Sequence, residues 1–247
     1  MVSGPILLER GRYRAQFAQT PGDVAAAQAL RGRAFGKGGI DRDAFDELCR
    51  HVLVIDRSAA RPVACFRMLE LDSGAAVGGC YSATFYDLSR LSGFDGRMLE
   101  IGRFCTEPGR RDPDILRVAW GAITALVDSR DVRMMFGCTS FPGVDPAPYG
   151  DVFSLLGRRH VAPERWRPLV RAAEIVRFES RAGTGAGGAA ALRAMPPLLR
   201  TYLGMGGWVS DHAVVDRQMG TLHVFTAVEV AAIPPGRQRA LRAVVSG

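Results

Sequence analysis

Glu100 and Arg103 lie in the run LEIGRF (99–104), whose other residues suit a buried sheet strand. A charged side chain inside a sheet is costly unless it is paired or put to use. Two readings are open: an internal ion pair that supports the fold, or a carboxylate and a guanidinium that do chemistry. In a regular strand, residues 100 and 103 differ in parity and face opposite sides of the sheet. A bulge near Gly102 would remove that difficulty.

Two further groups of charges stand out. The turn GRRDPD places Arg110 and Arg111 beside Asp112 and Asp114, with Asp112 a natural N-cap and Pro113 at the first helical position. The stretch 157–171 gathers Arg158, Arg159, Arg165, Arg167 and Arg171 beside Trp166. It reads either as a solvated face or as a docking patch for an acidic protein or anionic lipid head groups. Ser140 and Cys138 lack a nucleophile-elbow pattern, so a covalent acyl-enzyme is not expected. The cysteines at 49, 65, 80, 105 and 138 show no CxxC spacing, and the histidines no HExxH, so reduced core thiols and no metal are the expectation.

The chain has 247 residues, 47% hydrophobic and 23% charged, enough for one large or two modest cores. No apolar run approaches the ~20 residues needed to span a bilayer. Ile6, Leu7 and Leu8 are followed at once by Glu9 and Arg10, so no secretory core is read and a cytoplasmic location is expected. Net charge is +7, with Lys37 the only lysine among many arginines. That excess favours an acidic partner: nucleic acid, an anionic inner-membrane surface or an acidic protein. No zinc finger, RNP-type strand or helix-turn-helix is present, which speaks against nucleic acid.

Periodicity supplies the elements that must position these residues. Gly11 to Gln19 alternates as a strand, and Pro21, Gly22 and Asp23 punctuate the start of a helix reaching roughly Phe35. After a mobile-looking GKGG (36–39), Asp41 to Arg50 reads as a second short helix, and HVLVID (51–56) and PVACFRML (62–69) as neighbouring strands. A Gly-rich turn (78–80) and a strand or short helix through Leu91 precede the charged strand from Met98 to Thr106. Ile115, Val118, Ala119, Ala122, Ile123 and Leu126 then fall at helical spacing. Farther on come a strand at 134–141, a helix at 149–156, and a strand or helix at 169–178. Ser180 to Ala190 reads as a loose connection. The last third carries a helix at 196–202, strands near 208–215 and 222–228, and a helix after Pro234 and Pro235. The alternation argues an α/β or α+β fold with one central sheet.

This order resembles the GCN5-related N-acetyltransferase fold. Within it, Arg31 and Phe35, Asp43 and Asp46, Arg67 in CFRML, and Glu100, Arg103 and Phe104 in LEIGRF resemble the motif of the acyl-homoserine-lactone synthases. Those enzymes lack the segments GCTSFPGVDP (137–146), GGWVSDHAVVD (206–216) and GTLHVFTAVEV (220–230). These, with LEIGRFCTEPGRRDPDILRVAW, resemble the bacterial L-ornithine Nα-acyltransferases over roughly Leu30 to Arg242. The resemblance implies an enzyme that moves a 3-hydroxyacyl chain from acyl carrier protein to the α-amine of L-ornithine. It implies an acyltransferase core at 1–178 and a C-terminal extension at 179–247 packed on the same domain. The other readings are a homoserine-lactone-synthase-like or polyamine acyltransferase, or a non-enzymatic basic module that binds membrane or carrier protein.

Amide formation from a thioester needs a neutral amine, a stabilised oxyanion and a seat for the donor's phosphopantetheine arm. Glu100 is the candidate base, since partial burial raises a carboxyl pKa. Arg103 would orient it or hold a carboxylate or phosphate with its planar fork. The superfamily's corresponding strand carries a bulge whose freed amide binds the thioester carbonyl, which implies a donor near Phe104 or Cys105. Its coenzyme A signature pairs glycines at a helix N-terminus. Here Arg110 and Arg111 stand beside two aspartates, which suits one phosphate on a carrier-protein arm better than a pyrophosphate. No bound cofactor is expected, and Arg158 and Arg159 join the donor-binding set. The resemblance puts Arg31, Phe35, Asp43, Asp46 and Arg67 at the substrate. Asp43 and Asp46, at i and i+3 on the expected helix, either meet ornithine's second ammonium or bracket Arg31. Asp211 and Asp216 are weaker alternatives for that ammonium.

Overall fold

A computed structural model describes residues 6–178 and 188–246. In chain order its strands and helices are β1 (Ile6–Arg10), β2 (Tyr13–Phe17), α1 (Pro21–Ala34), β3 (Arg50–Asp56), β4 (Arg61–Leu71), β5 (Tyr86–Asp87), β6 (Arg97–Thr106) and α2 (Pro113–Ser129). There follow β7 (Val132–Pro142), α3 (Gly150–Arg159), β8 (Leu169–Val170), β9 (Ile175–Arg177), α4 (Gly188–Ala194), α5 (Pro197–Gly204), β10 (Trp208–Val209), β11 (His212–Asp216), β12 (Thr221–Glu229) and α6 (Pro235–Ser246). The architecture is the expected mixture of strands and helices. Of the described residues, those within Met1–Glu70, Leu99–Arg133 and Pro235–Gly247 form one compact unit, and those within Leu71–Met98 and Met134–Pro234 a second.

The first unit is built on strands in the order β1-β2-β3-β4-β6. Thr20 opens α1 with a capping box: its hydroxyl accepts from the Asp23 amide at 3.1 Å, and the Asp23 carboxylate accepts from the Thr20 amide at 3.0 Å. Ala27 and Leu30 of α1 then pack on Leu53, Cys65 and Cys105 of three successive strands. Asp112 caps α2, accepting from the Asp114 amide, and also accepts from the Tyr13 hydroxyl at 2.7 Å. The apolar residues of α2 are each at most 1% exposed at Ile115, Val118, Ile123 and Leu126. Burial of each such side chain stabilises by roughly 1.5–3 kcal/mol. Gly121 lets Leu8 and Val244 approach α2, because a Cβ there would lie 2.5 Å from the Leu8 side chain.

The second unit orders its strands β7-β12-β11-β9, with β10 pairing β12, and β5 pairing β8 as a separate ribbon. Phe141, Phe153, Leu156, Met195, Leu199 and Leu222 are among the buried residues of its core, which α3, α4 and α5 help to build.

Several expectations are corrected. Asp41 to Arg50 is not a helix; only Ala44–Asp46 makes one 3-10 turn, capped by the Asp43 carboxylate accepting from the Phe45 amide at 2.9 Å. A short acidic side chain that captures the backbone in this way competes with helix propagation. Ile6–Arg10 is a strand, turned into β2 at Gly11, whose φ of 54° suits glycine. The 169–178 stretch forms the two short strands β8 and β9. The strand read near 208–215 is interrupted at Ser210, whose hydroxyl accepts from the Phe225 amide and donates to the His212 carbonyl. The connection read at Ser180 to Ala190 falls mainly outside the described residues, and α4 begins at Gly188.

Candidate active site

The charged residues of the first unit converge. Arg31, buried on α1, donates from Nε to Asp41 at 2.8 Å and from Nη1 and Nη2 to Asp46 at 2.7 and 3.1 Å. Arg67, on β4 and 2% exposed, donates to Asp46 at 2.6 Å and grips both oxygens of Asp43. Arg103, on β6, donates from Nε to Asp41 at 3.1 Å and from Nη2 to Asp43 at 2.8 Å. The three arginines and three aspartates therefore close an alternating ring: Arg31, Asp41, Arg103, Asp43, Arg67, Asp46 and back to Arg31. Lys37 adds a contact to Asp41 at 2.8 Å, and the Gln28 amide donates to Asp46 at 3.0 Å.

Within this ring Asp43 and Asp46 have different partners. Asp46 brackets Arg31, and it also joins Arg31 to Arg67; Asp43 instead serves Arg67 and Arg103. Both oxygens of Asp43 already accept from guanidinium groups, and one of them also from the Phe45 amide. Burial works against ionisation of Asp46, but Arg31 and Arg67 outweigh it and hold the carboxyl well below the usual range. Asp41 is likewise depressed against its burial by Lys37, Arg103 and Arg31. Beneath the ring, His51 lies 3.0 Å from the Asp46 carbonyl through Nε2, and burial pushes its pKa down.

Glu100 is 3% exposed, on the same strand as Arg103. Burial pushes the nearby Cys49 thiol up to about 11; Arg67 opposes the rise, while the charges of Glu100, Asp46 and Asp43 add to it. Arg103 takes a φ of 53° inside β6, a left-handed backbone in a non-glycine residue. Such a conformation costs roughly 1–2 kcal/mol and is kept only where contacts impose it. It departs from regular strand backbone at the position after Gly102. Gly102 sits against the stem of Arg67, with 3.7 Å from its Cβ position to Nε.

Beyond Arg103, the Phe104 ring stacks on Phe66 at 5.5 Å and on Trp120 at 6.4 Å. The Cys105 side chain packs into the α1 core, 3.6 Å from the Cys65 sulfur. Phe35, the C-cap of α1, packs on that same core.

The other expected residues make contacts of their own. Arg110 lies 3.4 Å from Asp56, which Arg12 also holds at 2.6 Å, while Arg111 is exposed. In the second unit, Arg158, Arg159 and Arg165 are exposed on α3 and the following turn. Arg158 donates to the Ser154 hydroxyl, and Arg165 lies 3.7 Å from Glu229. Arg167 and Arg171 donate to the carbonyls of Ala162 and Ala83, so they brace main chain. Asp211 is 2.6 Å from His212 Nδ1, and Asp216 accepts from the Met219 amide in a turn. Cys138 lies 3.5 Å from the Ser82 hydroxyl, and Ser140 is exposed on β7.

Sequence reasoning missed Asp41, a member of the ring, and Lys37, which pairs with it. The available signal was the doublet DRD (41–43), whose alternate residues share a side of an extended chain. Among the described residues, no group of His, Cys, Asp or Glu is placed to hold a metal ion, and no helix is long and apolar enough to cross a membrane.

Residues 27–121 match the family model of the acetyltransferase (GNAT) domain. The chain is 32% identical over 238 residues to the L-ornithine N(alpha)-acyltransferase of Rhodobacter capsulatus, covering 90% of this chain and 91% of that protein. It is 31% identical over 248 residues to the enzyme of the same name from Brucella abortus, covering 92% and 88%. Among solved structures, an N-acyl amino acid synthase from uncultured soil microbes aligns with a TM-score of 0.51 over 89% of this chain and 93% of that one. At 9% identity, that likeness is one of fold.

Proposed function

The chain belongs to the L-ornithine N(alpha)-acyltransferases, and from that premise we propose how its residues acylate ornithine and which donor they use. The protein is an N-acyltransferase, and ornithine is its acceptor. Glu100 takes a proton from the α-ammonium group of ornithine, directly or through one water. The freed amine attacks the thioester carbonyl carbon and a C–N bond forms. Negative charge gathers on the carbonyl oxygen, where the backbone amide of Phe104 or Cys105 donates to it. The C–S bond then breaks, the amide carbonyl re-forms, and the donor leaves as a thiol carrying the proton released from nitrogen. Base catalysis of this kind is typically worth ~10²–10⁴ in rate, and one oxyanion donor ~10²–10³.

The observation that carries this reading is the left-handed backbone at Arg103, three positions beyond buried Glu100 on one strand. A left-handed residue between Glu100 and the amides of Phe104 and Cys105 supports assigning the base and the oxyanion donor to this one strand.

The donor is a 3-hydroxyacyl chain on the phosphopantetheine of acyl carrier protein. Asp112 and Asp114 place carboxylates at the N-terminus of α2, where a coenzyme A pyrophosphate would need room and amides. Exposed Arg111 can meet a single phosphate. Exposed Arg158, Arg159 and Arg165 offer positive charge to an acidic carrier or to an anionic membrane surface. The test is expression in a bacterial host that makes no ornithine lipid, followed by mass spectrometry of lipid extracts. A new lyso-ornithine lipid with a 3-hydroxyacyl amide is expected; extracts identical to those of the empty host would overturn the assignment.

A further inference from the structure

Asp41 is assigned no contact with the reacting atoms, yet it accepts from the side chain of Arg103, whose backbone leads into the amides assigned to the oxyanion. Its carboxylate is buried, with a side chain 1% exposed, and it accepts from Arg31 Nε at 2.8 Å, Lys37 Nζ at 2.8 Å and Arg103 Nε at 3.1 Å. The loop that delivers it is fastened to α1 at two places. The Lys37 amide donates to the Gly32 carbonyl at 3.0 Å, and the Asp41 amide to the Gln28 carbonyl at 3.1 Å. Between them the Gly39 carbonyl packs so closely on Gly32 that a Cβ at residue 32 would lie 1.5 Å from its oxygen. The segment read from sequence as mobile is thus a strap with a fixed end.

Arg103 is held at two points of its guanidinium, Nε by Asp41 and Nη2 by Asp43. Its backbone is the left-handed residue of β6, and the amides that follow are those assigned to the oxyanion. A strained conformation persists where surrounding contacts over-determine it, and strain of this kind gathers at sites where geometry matters.

We propose that Asp41 is a positioning residue for acyl transfer: by anchoring Arg103 from the α1 strap, it keeps residue 103 left-handed and so aims the Phe104 and Cys105 amides at the developing oxyanion. The proposal rests on the reading that those amides serve the thioester carbonyl. It assigns Asp41 no contact with substrate. Its loss should therefore lower kcat and leave KM for ornithine nearly unchanged, because the interaction affected is made in the transition state. A misplacement of about 1 Å can cost roughly 10²-fold in rate.

The test is a cycle of full-length variants, Asp41→Asn, Arg103→Gly and the pair together, with steady-state kinetics and the ¹³Cα and ¹³Cβ chemical shifts of residue 103. Glycine at 103 adopts the left-handed region without help and has no guanidinium to anchor. Asp41→Asn alone is expected to lower kcat by about 10- to 100-fold, with Asp41→Glu recovering part of the loss and the Arg103 shifts leaving left-handed values. In the Arg103→Gly background the same substitution should change kcat less than about twofold. Equal losses in both backgrounds, or Arg103 shifts unmoved by Asp41→Asn, would overturn the proposal. If Arg103→Gly has no measurable turnover, the shifts decide alone. A Glu100→Gln variant of normal rate would instead refute the mechanism on which the proposal rests, so the two failures are told apart.

Discussion

Replacing Asp46 by Asn removes a charge from the ring without changing its volume. Asp46 is buried, its side chain 3% exposed, and it accepts from both Nη atoms of Arg31, from Arg67 and from Gln28. Breaking a buried ion pair by deleting one partner typically costs 3–5 kcal/mol, since the remaining charge is left in a poor solvent. Arg31 keeps Asp41 and Arg67 keeps Asp43, so the loss belongs at the lower end, about 3 kcal/mol. For a chain of this size that lowers Tm by roughly 6–12 °C at pH 7. The sign with pH follows from linkage. The Asp46 carboxyl titrates lower in the folded protein than in the unfolded chain, so its contribution is complete above the unfolded value near 3.8 and is lost as pH falls below that toward the folded value. Thermal melts of the two proteins at a series of pH values should show a gap that is constant from pH 7 to 5 and narrows below pH 4. A Tm change under about 1 °C at pH 7, or a gap that does not narrow in acid, would refute the reasoning.

Glu100→Gln should lower kcat by about 10²–10⁴ in a protein that still folds, measured by thiol release from an acyl donor and by a cooperative melt. Arg67→Lys and Arg103→Lys should both be impaired, because a single ammonium cannot bridge two carboxylates as the planar fork does; full activity in both would leave only a generic positive charge. Carrier-protein donor should be strongly preferred to the same acyl chain on coenzyme A, and the preference should weaken toward 1 M salt, where the Debye length is ~3 Å. Arg158→Glu with Arg159→Glu should raise KM for the carrier-protein donor and spare KM for ornithine.

Much of the first unit was legible because its signals are local. The apolar spacing of α2, with Asp112 and Pro113 at its start, marked both the start and the buried face of that helix. The misfit of Glu100 and Arg103 in one strand pointed to irregular backbone near Gly102, and Arg103, the next residue, is left-handed. The short helix at Asp41 to Arg50 was misread because aspartates at i and i+3 imitate helix spacing. Here their side chains reach arginines from α1, β4 and β6 and a cap of the local backbone, none of which adjacent sequence displays. Asp41 and Lys37 escaped for a related reason: their place at the ring depends on Gly39 seated against Gly32, a tertiary contact with no periodic signature. In the second unit, the break between β10 and β11 is made by one hydroxyl, Ser210, bonding across to β12.

The central claim, acyl transfer to the α-amine of ornithine with Glu100 as base, is tested most directly with purified protein, ornithine and 3-hydroxyacyl carrier protein, the product being fragmented by tandem mass spectrometry. The account expects one equivalent of Nα-acylornithine for each thiol released, with that product falling at least about 10²-fold in rate for Glu100→Gln at neutral pH. Acylation at the side-chain nitrogen, or an undiminished rate in Glu100→Gln, would contradict it.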